Sequence, residues 1–291
     1  MNEFMNKMLS TKGEDYVIAS DTDSIYVRMD KLVEQLPEKL SNNEVTDILN
    51  KFIESKIKSY MDACFVELRT YMNAYQQKMN MKRETIANKG IWRGKKMYIL
   101  NALDVEGVRY HEPQLKLQGI EAVRSSTPQV CRTAIKKALN IVMNGTQEDL
   151  LKYTKEFKNE FMEMNFEQVA FPRSANNLET YSDEQMIYKK ATPLHVKGVL
   201  HFNALLKKHR ITDVPPVREG DKIKFSYLKT PNPLGDKVIS CPADLPKQFG
   251  LDQYIDKDMQ YTKSFLEPLK SITDVIGWEA EYTRNLKAFF S

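Results

Sequence analysis

Cysteine is scarce in this 291-residue chain: Cys64, Cys131 and Cys241 are the whole set, odd in number and far apart. They make neither a disulfide framework nor a zinc pattern, and so point to a reducing cytoplasm. The four histidines, His111, His195, His201 and His209, do not supply the missing ligands, since none has a metal-ligand partner at a sensible spacing. No apolar run approaches the ~20 residues that span a bilayer, and the polar opening Met1-Asn-Glu-Phe-Met-Asn-Lys7 is no signal peptide, so no membrane is expected as a partner. Charge of one sign is lacking too. Lys plus Arg number 43 against 39 Asp plus Glu, and a net charge of +4 says little about nucleic acid until local clustering is considered. Internal repeats and low-complexity segments are absent. What remains, 42% hydrophobic and 28% charged residues, is the composition of a soluble globular protein, long enough for one large domain or two ordinary ones.

The stretch that organises the chain is Tyr16-Val-Ile-Ala-Ser-Asp21-Thr-Asp23-Ser24-Ile-Tyr-Val-Arg-Met29. Val, Ile and Tyr favour strands and the small polar insert favours a tight turn, so the pattern predicts a β-hairpin with two carboxylates at its bend. In extended chain, residues i and i+2 face one way, which lets Asp21 and Asp23 look into one space. Two neighbouring carboxylates repel unless a cation relieves them, and Mg2+ does so through one or two carboxylates plus substrate phosphates. A bare Asp-x-Asp is more often simply a turn favourite. The flanking strands tip the reading towards a site.

Along the rest of the chain, residues 2–10 read as a short amphipathic helix with Phe4, Met5 and Met8 on one side, and Lys31–Leu36 adds a helical turn before Pro37. A long amphipathic helix follows from Asn43, its cap, carrying Val45, Leu49, Phe52, Ile57, Tyr60, Cys64, Leu68 and Met72 into the core. Met79–Ala87, Lys95–Leu103 and Val108–His111 read as strands, with Glu106-Gly107 as a turn and Asn88–Arg93 as a loop. Among them lie Lys82, Arg83, Lys89, Arg93, Lys95 and Lys96, interleaved with Trp92 and Tyr98; basic residues mixed with aromatics suit a surface that tracks a nucleic-acid backbone. The alternative is an ordinary solvated strand face. After Gly119 the pattern becomes helical with polar loops. Thr127-Pro128 reads as a cap and helix start, Asn144-Gly145 as its stop, and Thr146-Gln-Glu-Asp149 as a capping box. Ser125-Ser126-Thr127 before a helix can hold a phosphate through hydroxyls and free N–H groups, although capping alone is commoner. Asp221–Leu228 and Lys237–Ser240 form a small sheet around the turn Asn232–Asp236, and a last helix covers about Asp258–Leu269.

Asp21-Thr-Asp-Ser-Ile-Tyr26 resembles motif C of family B DNA polymerases. Lys82-Arg-Glu-Thr-Ile-Ala87, Gly94-Lys-Lys-Met-Tyr98, Ser125-Ser-Thr-Pro128, Ser174-Ala-Asn-Asn177 and His195-Val-Lys-Gly198 are similar, in the same order, to segments of T4-type bacteriophage replicative polymerases. The resemblance covers nearly the whole chain. It implies an α+β fold: the end of a polymerase palm over residues 1–119, with an antiparallel sheet and packed helices, then a mostly helical thumb with a small β subdomain over 120–280, and a tail over 281–291. It implies template-directed DNA synthesis with two Mg2+. Asp23 would be the essential motif C ligand, Asp21 a supporting carboxylate, Thr22 a nucleotide contact, and Glu84 an acidic residue near the metals. Arg93, Lys95, Lys96, Tyr98, Ser125, Ser126, Thr127 and Lys197 would meet primer–template DNA. Met97 stands where the family usually has arginine, and Lys82 where it has aspartate. Leu286, Phe289 and Phe290 resemble the family's clamp-docking tail, without its acidic residues.

Two-metal phosphoryl transfer needs enough ligands to hold two ions about 4 Å apart. The motif A aspartate, the finger helix that grips the dNTP and the proofreading exonuclease are not found in these 291 residues. Two expectations follow, a fragment of a longer polymerase or one subunit of a naturally split enzyme, and the methionine start with full thumb and tail favours the second. This chain would then be active only with an N-terminal subunit carrying motif A, and the pair would share the two Mg2+ in the cytoplasm of an infected bacterium. Palm strands without their neighbours would expose sheet edges and favour such pairing. A metal-dependent glycosyltransferase also uses Asp-x-Asp, but about twenty residues upstream cannot hold its nucleotide fold. A non-catalytic DNA-binding or scaffold subunit is the remaining alternative; it leaves the acidic hairpin without a job.

Overall fold

The apolar side of the opening helix determines how the acidic hairpin is held. In the computed structural model, which describes residues 1–282, α1 (Asn2–Met8) buries Met5 and, just past its end, Leu9 against Tyr16 and Ile57. Asn2 at the head of α1 accepts hydrogen bonds from the backbone N–H groups of Tyr16 and Val17 at 3.1 and 2.9 Å, which fixes the entry to the hairpin. β1 (Val17–Asp21) and β2 (Ser24–Val27) pair antiparallel around the two-residue turn Thr22-Asp23, with Asp21 opposite Ser24. Asp23 thus lies in the turn, not in extended chain, and strand alternation does not relate it to Asp21. The pair of strands forms a sheet of its own.

After the single turn α2 (Asp30–Val33), the long helix runs as α3 (Asn42–Phe52), a wide π turn at Ile53–Ile57, and α4 (Lys58–Tyr71). Its cap is Ser41, not Asn43. The Ser41 hydroxyl accepts from the Glu44 N–H while the Glu44 carboxylate accepts from the Ser41 N–H, and this reciprocal box satisfies two otherwise unpaired groups. Leu49 and Ile57 are buried and Phe4 stacks on Tyr60 with centroids 4.2 Å apart. The far end departs from the expected core: Leu68 and Met72 are exposed, Met72 by 64%, next to exposed Val66 and Tyr71.

β3 (Thr85–Gly94), β4 (Met97–Val105) and β5 (Val108–Gln118) form a sheet in that order. Regular strand starts only at Thr85, not at Met79, and Asn88–Arg93 continues β3 where a loop was expected. Sheet pairing overrides the Asn-Lys-Gly signal: Asn101 Nδ2 of β4 donates to Asn88 Oδ1 at 2.9 Å. Lys95 and Lys96 therefore sit at the β3–β4 turn rather than inside a strand, with Lys96 at φ 59°. Glu106-Gly107 makes the next turn as expected, both at positive φ.

By contact density the chain divides into one unit of residues 1–90 and 100–116 and another of residues 91–99 and 117 onward. The second contains α5 (Gln129–Asn144), α6 (Gln147–Glu163), α7 (Phe166–Val169), β6 (Phe171–Ser174), α8 (Leu178–Tyr181), β7 (Ser182–Asp183), β8 (Ile187–Tyr188), α9 (Leu194–Lys208), β9 (Lys222–Tyr227), β10 (Val238–Cys241), α10 (Lys257–Tyr261) and α11 (Glu267–Thr273). α5 is capped by Pro128 and not by Thr127, which is buried; α6 has the expected Thr146–Asp149 capping box. The small sheet has the order β10-β9-β6, its third strand unforeseen. One core is aromatic, with Phe157, Phe161, Tyr261 and Phe265 ring to ring at 4.7–6.1 Å. In another, α9 packs on β10 so closely that a Cβ on Gly198 would meet the Ser240 backbone nitrogen at 2.6 Å. The glycine of His-Val-Lys-Gly is there to admit the strand. The mixture of antiparallel sheets and packed helices makes the chain α+β.

Candidate functional site

The acidic hairpin presents Asp23 at its tip. Asp23 is exposed and makes no hydrogen bond or ion pair among the described residues. Asp21, the last residue of β1, is half-buried and its Oδ1 accepts from the Thr22 N–H at 3.0 Å and the Thr22 hydroxyl at 3.3 Å. Thr22 thus spends its hydroxyl on Asp21. Hard carboxylate oxygens on a tight turn fit a divalent cation such as Mg2+. They are too few to complete a site by themselves, and no three His, Cys, Asp or Glu side chains gather as a metal site among the described residues. Glu84, just before β3, instead pairs with the Lys116 ammonium, which also donates to Thr85 Oγ1 at 3.0 Å.

The turn at Lys95-Lys96 is the basic counterpart. Lys95 is exposed and makes no ion pair among the described residues. Gly119, at φ +65°, lies against this turn: a Cβ there would strike the Lys96 carbonyl and come 2.9 Å from Met97 Cγ. Arg93 is less available, being paired with Glu121 at 3.3 Å, and Glu121 also faces Arg124 at 3.6 Å. Tyr98 leans on Trp92, centroids 6.4 Å apart. Of the serine-threonine turn, Ser125 is exposed and Ser126 half-buried. The Ser126 carbonyl accepts from Arg173 at 2.7 Å.

Lys197, in the first turn of α9, has its ammonium 4.7 Å above the Tyr188 ring. The Tyr188 hydroxyl donates to Asp236 at 2.6 Å, and His201 Nε2 meets the same carboxylate oxygen at 2.8 Å. Burial pushes the Asp236 carboxyl up, but the Tyr188 and His201 hydrogen bonds outweigh it and hold it below the ordinary range; the same bond raises the Tyr188 hydroxyl to about 12. His195, beside it in sequence, has its backbone carbonyl held by Ser240 Oγ at 2.8 Å. Leu286, Phe289 and Phe290 lie outside the described residues.

Sequence reasoning missed Tyr188, Asp236, Arg173 and the ion cluster on Asp104. Asp104 is buried and is gripped by Arg83, by Arg109 at 3.3 Å and by the Gly107 N–H at 3.0 Å; Arg109 continues to Asp47 at 2.8 Å. Desolvation raises its pKa, but these donors outweigh it, so the carboxyl titrates below its ordinary value. An acidic residue inside an apolar strand, Ile99 to Val105, was the one available signal.

Comparison with known proteins relates the whole chain to phage DNA polymerases. No family model matches the chain. Over its full length it is 32% identical, across 304 aligned residues, to the DNA-directed DNA polymerase of Enterobacteria phage T4. It is 36% identical across 305 residues to the DNA-directed DNA polymerase of Escherichia phage RB69. The chain spans 33% of the length of each. It is homologous to T4-type phage DNA polymerases and corresponds to a C-terminal part of them.

Proposed function

We propose that this chain is the C-terminal subunit of a split DNA-directed DNA polymerase, providing the motif C hairpin of its palm and a thumb that grips duplex DNA. The observation that carries the reading is the unpartnered carboxylate of Asp23 at a tight hairpin bend, in a chain homologous throughout to phage polymerases. Asp23, supported by Asp21, would hold Mg2+ together with an aspartate of motif A on an N-terminal partner chain. Bound there, the two ions supply Lewis-acid activation of the primer hydroxyl and neutralise charge on the triphosphate of the dNTP. Thr22 orients Asp21, and Glu84 tempers Lys116 beside the sheet. Lys95, Lys96, Tyr98, Arg93, Lys197 and, of the Ser125–Thr127 turn, Ser125 and Ser126 face the phosphates and sugars of the primer–template, contacts that set register without reading sequence, while buried Thr127 only supports the turn. The tail at Leu286, Phe289 and Phe290 docks on a sliding clamp, and the enzyme works in the cytoplasm of the infected host.

A partner surface is supported by what is left uncovered. β1 and β2 form a sheet with no further strand among the described residues, and a lone two-stranded sheet is marginally stable. Ile18 in β1 is 46% exposed, and Val66, Leu68, Tyr71, Met72 and Tyr75 form an apolar run at and beyond the end of α4. Primer extension with Mg2+ and dNTPs tests the reading, using this chain alone and then with an N-terminal polymerase chain carrying motif A. Extension is expected only with both. Extension by this chain alone refutes the shared site, and a stable complex that binds DNA without extending it leaves a scaffold.

A further inference from the structure

Arg173, in β6, is a cation in an uncommon setting. Its Nη1 donates to two backbone carbonyls, Ser126 at 2.7 Å and Pro172 at 2.8 Å. Its guanidinium carbon lies 5.8 Å from the centre of the Phe171 ring and 5.7 Å from that of Phe225. No carboxylate pairs with it among the described residues, and Nε and Nη2 make no hydrogen bond there. Neither of those nitrogens is buried without a partner, so both open to solvent.

Withdrawing a guanidinium halfway from water without a counter-ion is costly, and two aromatic faces return only a small part of that cost. The direction of the remaining donors shows what would compensate. With both Nη1 hydrogens committed to carbonyls, the plane of the group is fixed. Nε–H and Nη2–H are left parallel on one edge, the fork that fits two oxygens of a phosphate. His195 shares the Phe225 face, centroids 6.4 Å apart. Burial, and then the Arg173 charge, lower its pKa, so the imidazole is neutral near pH 7 and adds no second cation.

We propose that Arg173 is a phosphate-binding residue whose Nε–Nη2 edge takes two oxygens of a phosphodiester of the DNA backbone. The proposal rests on the reading of this unit as a duplex grip. Through the Ser126 carbonyl the same residue holds the Ser125–Thr127 turn in place, so one side chain would both shape that turn and contact DNA.

The test is anisotropy of a labelled primer–template against salt, for the full chain and its Arg173→Met and Arg173→Lys variants, with thermal melting of each. Arg173→Met is expected to weaken binding about tenfold and to flatten the log K against log salt slope by about 0.9, the release of one phosphate contact. Arg173→Lys should restore the slope but only part of the affinity, since ammonium lacks the fork. Unchanged slope in a folded Arg173→Met protein with a lowered melting temperature overturns the proposal and leaves a structural staple. Millimolar inorganic phosphate should displace DNA from the wild type more readily than from Arg173→Met, since both would compete for that edge. Phosphate that binds the wild type through Arg173 without displacing DNA overturns the DNA contact and assigns the edge to free phosphate. Absence of any salt-dependent duplex binding by the wild type overturns the grip reading and this proposal with it.

Discussion

The protein has two charged hairpin tips built on opposite plans. Thr22-Asp23 closes a two-stranded sheet that has no third strand among the described residues, tied to α1 through Asn2. Lys95-Lys96 closes the first turn of a three-stranded sheet and is backed by Gly119, whose missing Cβ lets the chain lie against the Lys96 carbonyl. The acidic tip is presented and the basic tip is supported. On the proposed reading, a carboxylate sharing a cation with another chain would gain from standing at an open edge, whereas a lysine meeting a polyanion would gain from a firm base.

The contrast can be tested from its strongest consequence down. Asp23→Ala should cut primer extension by the assembled enzyme by on the order of 10³-fold, while DNA binding, read by anisotropy, stays at the wild-type level. A variant that keeps extending would remove the hairpin from the chemistry. Next comes the base of the three-stranded sheet. Asp104→Ala leaves the nearly buried Arg83 guanidinium without its counter-ion, with an expected loss of about 3–5 kcal/mol in denaturant unfolding. The sign of the pH effect follows from the lowered pKa. The Asp104 contribution is complete above the ordinary carboxylate value of 3.8 and is lost as pH falls through the lower folded value. Asp104→Asn should flatten that acid limb of a stability profile. Smallest is Lys95→Ala, expected to reduce the salt slope of duplex binding by about 0.9 with stability changed by less than about 0.5 kcal/mol. Arg93→Ala should move the slope less, because Glu121 already neutralises Arg93. Equal effects at the two positions would mean that the ion pair opens when DNA binds.

Much of this was legible in order along the chain. The Asp-Thr-Asp turn between β-branched runs, the Glu106-Gly107 turn, the Thr146–Asp149 box and the turn at Asn232–Asp236 are local events, decided by neighbours within about four residues. Errors arose where distant partners intervened. Asn88-Lys-Gly90 looks like a loop until Asn101 pairs with Asn88 across the sheet. Thr127 looks like a cap, yet burial claims it and Pro128 begins the helix. Leu68 and Met72 carry helical periodicity, but nothing among the described residues covers them. Tyr188, Asp236 and Arg173 had no motif to announce them, since their meaning lies in contacts across 9 to 48 residues of sequence.

By itself the sequence determined the α+β character, the acidic bend and the kinship with phage polymerases, because turn chemistry, strand alternation and ordered segments are properties of short windows. The tertiary structure decided which charges are spent and which are available. Arg93, Arg83 and Glu84 are consumed in ion pairs, while Asp23, Lys95 and the outer edge of Arg173 are left open. Whether a charge is compensated depends on what the fold brings within hydrogen-bond distance, and no window of sequence contains that partner.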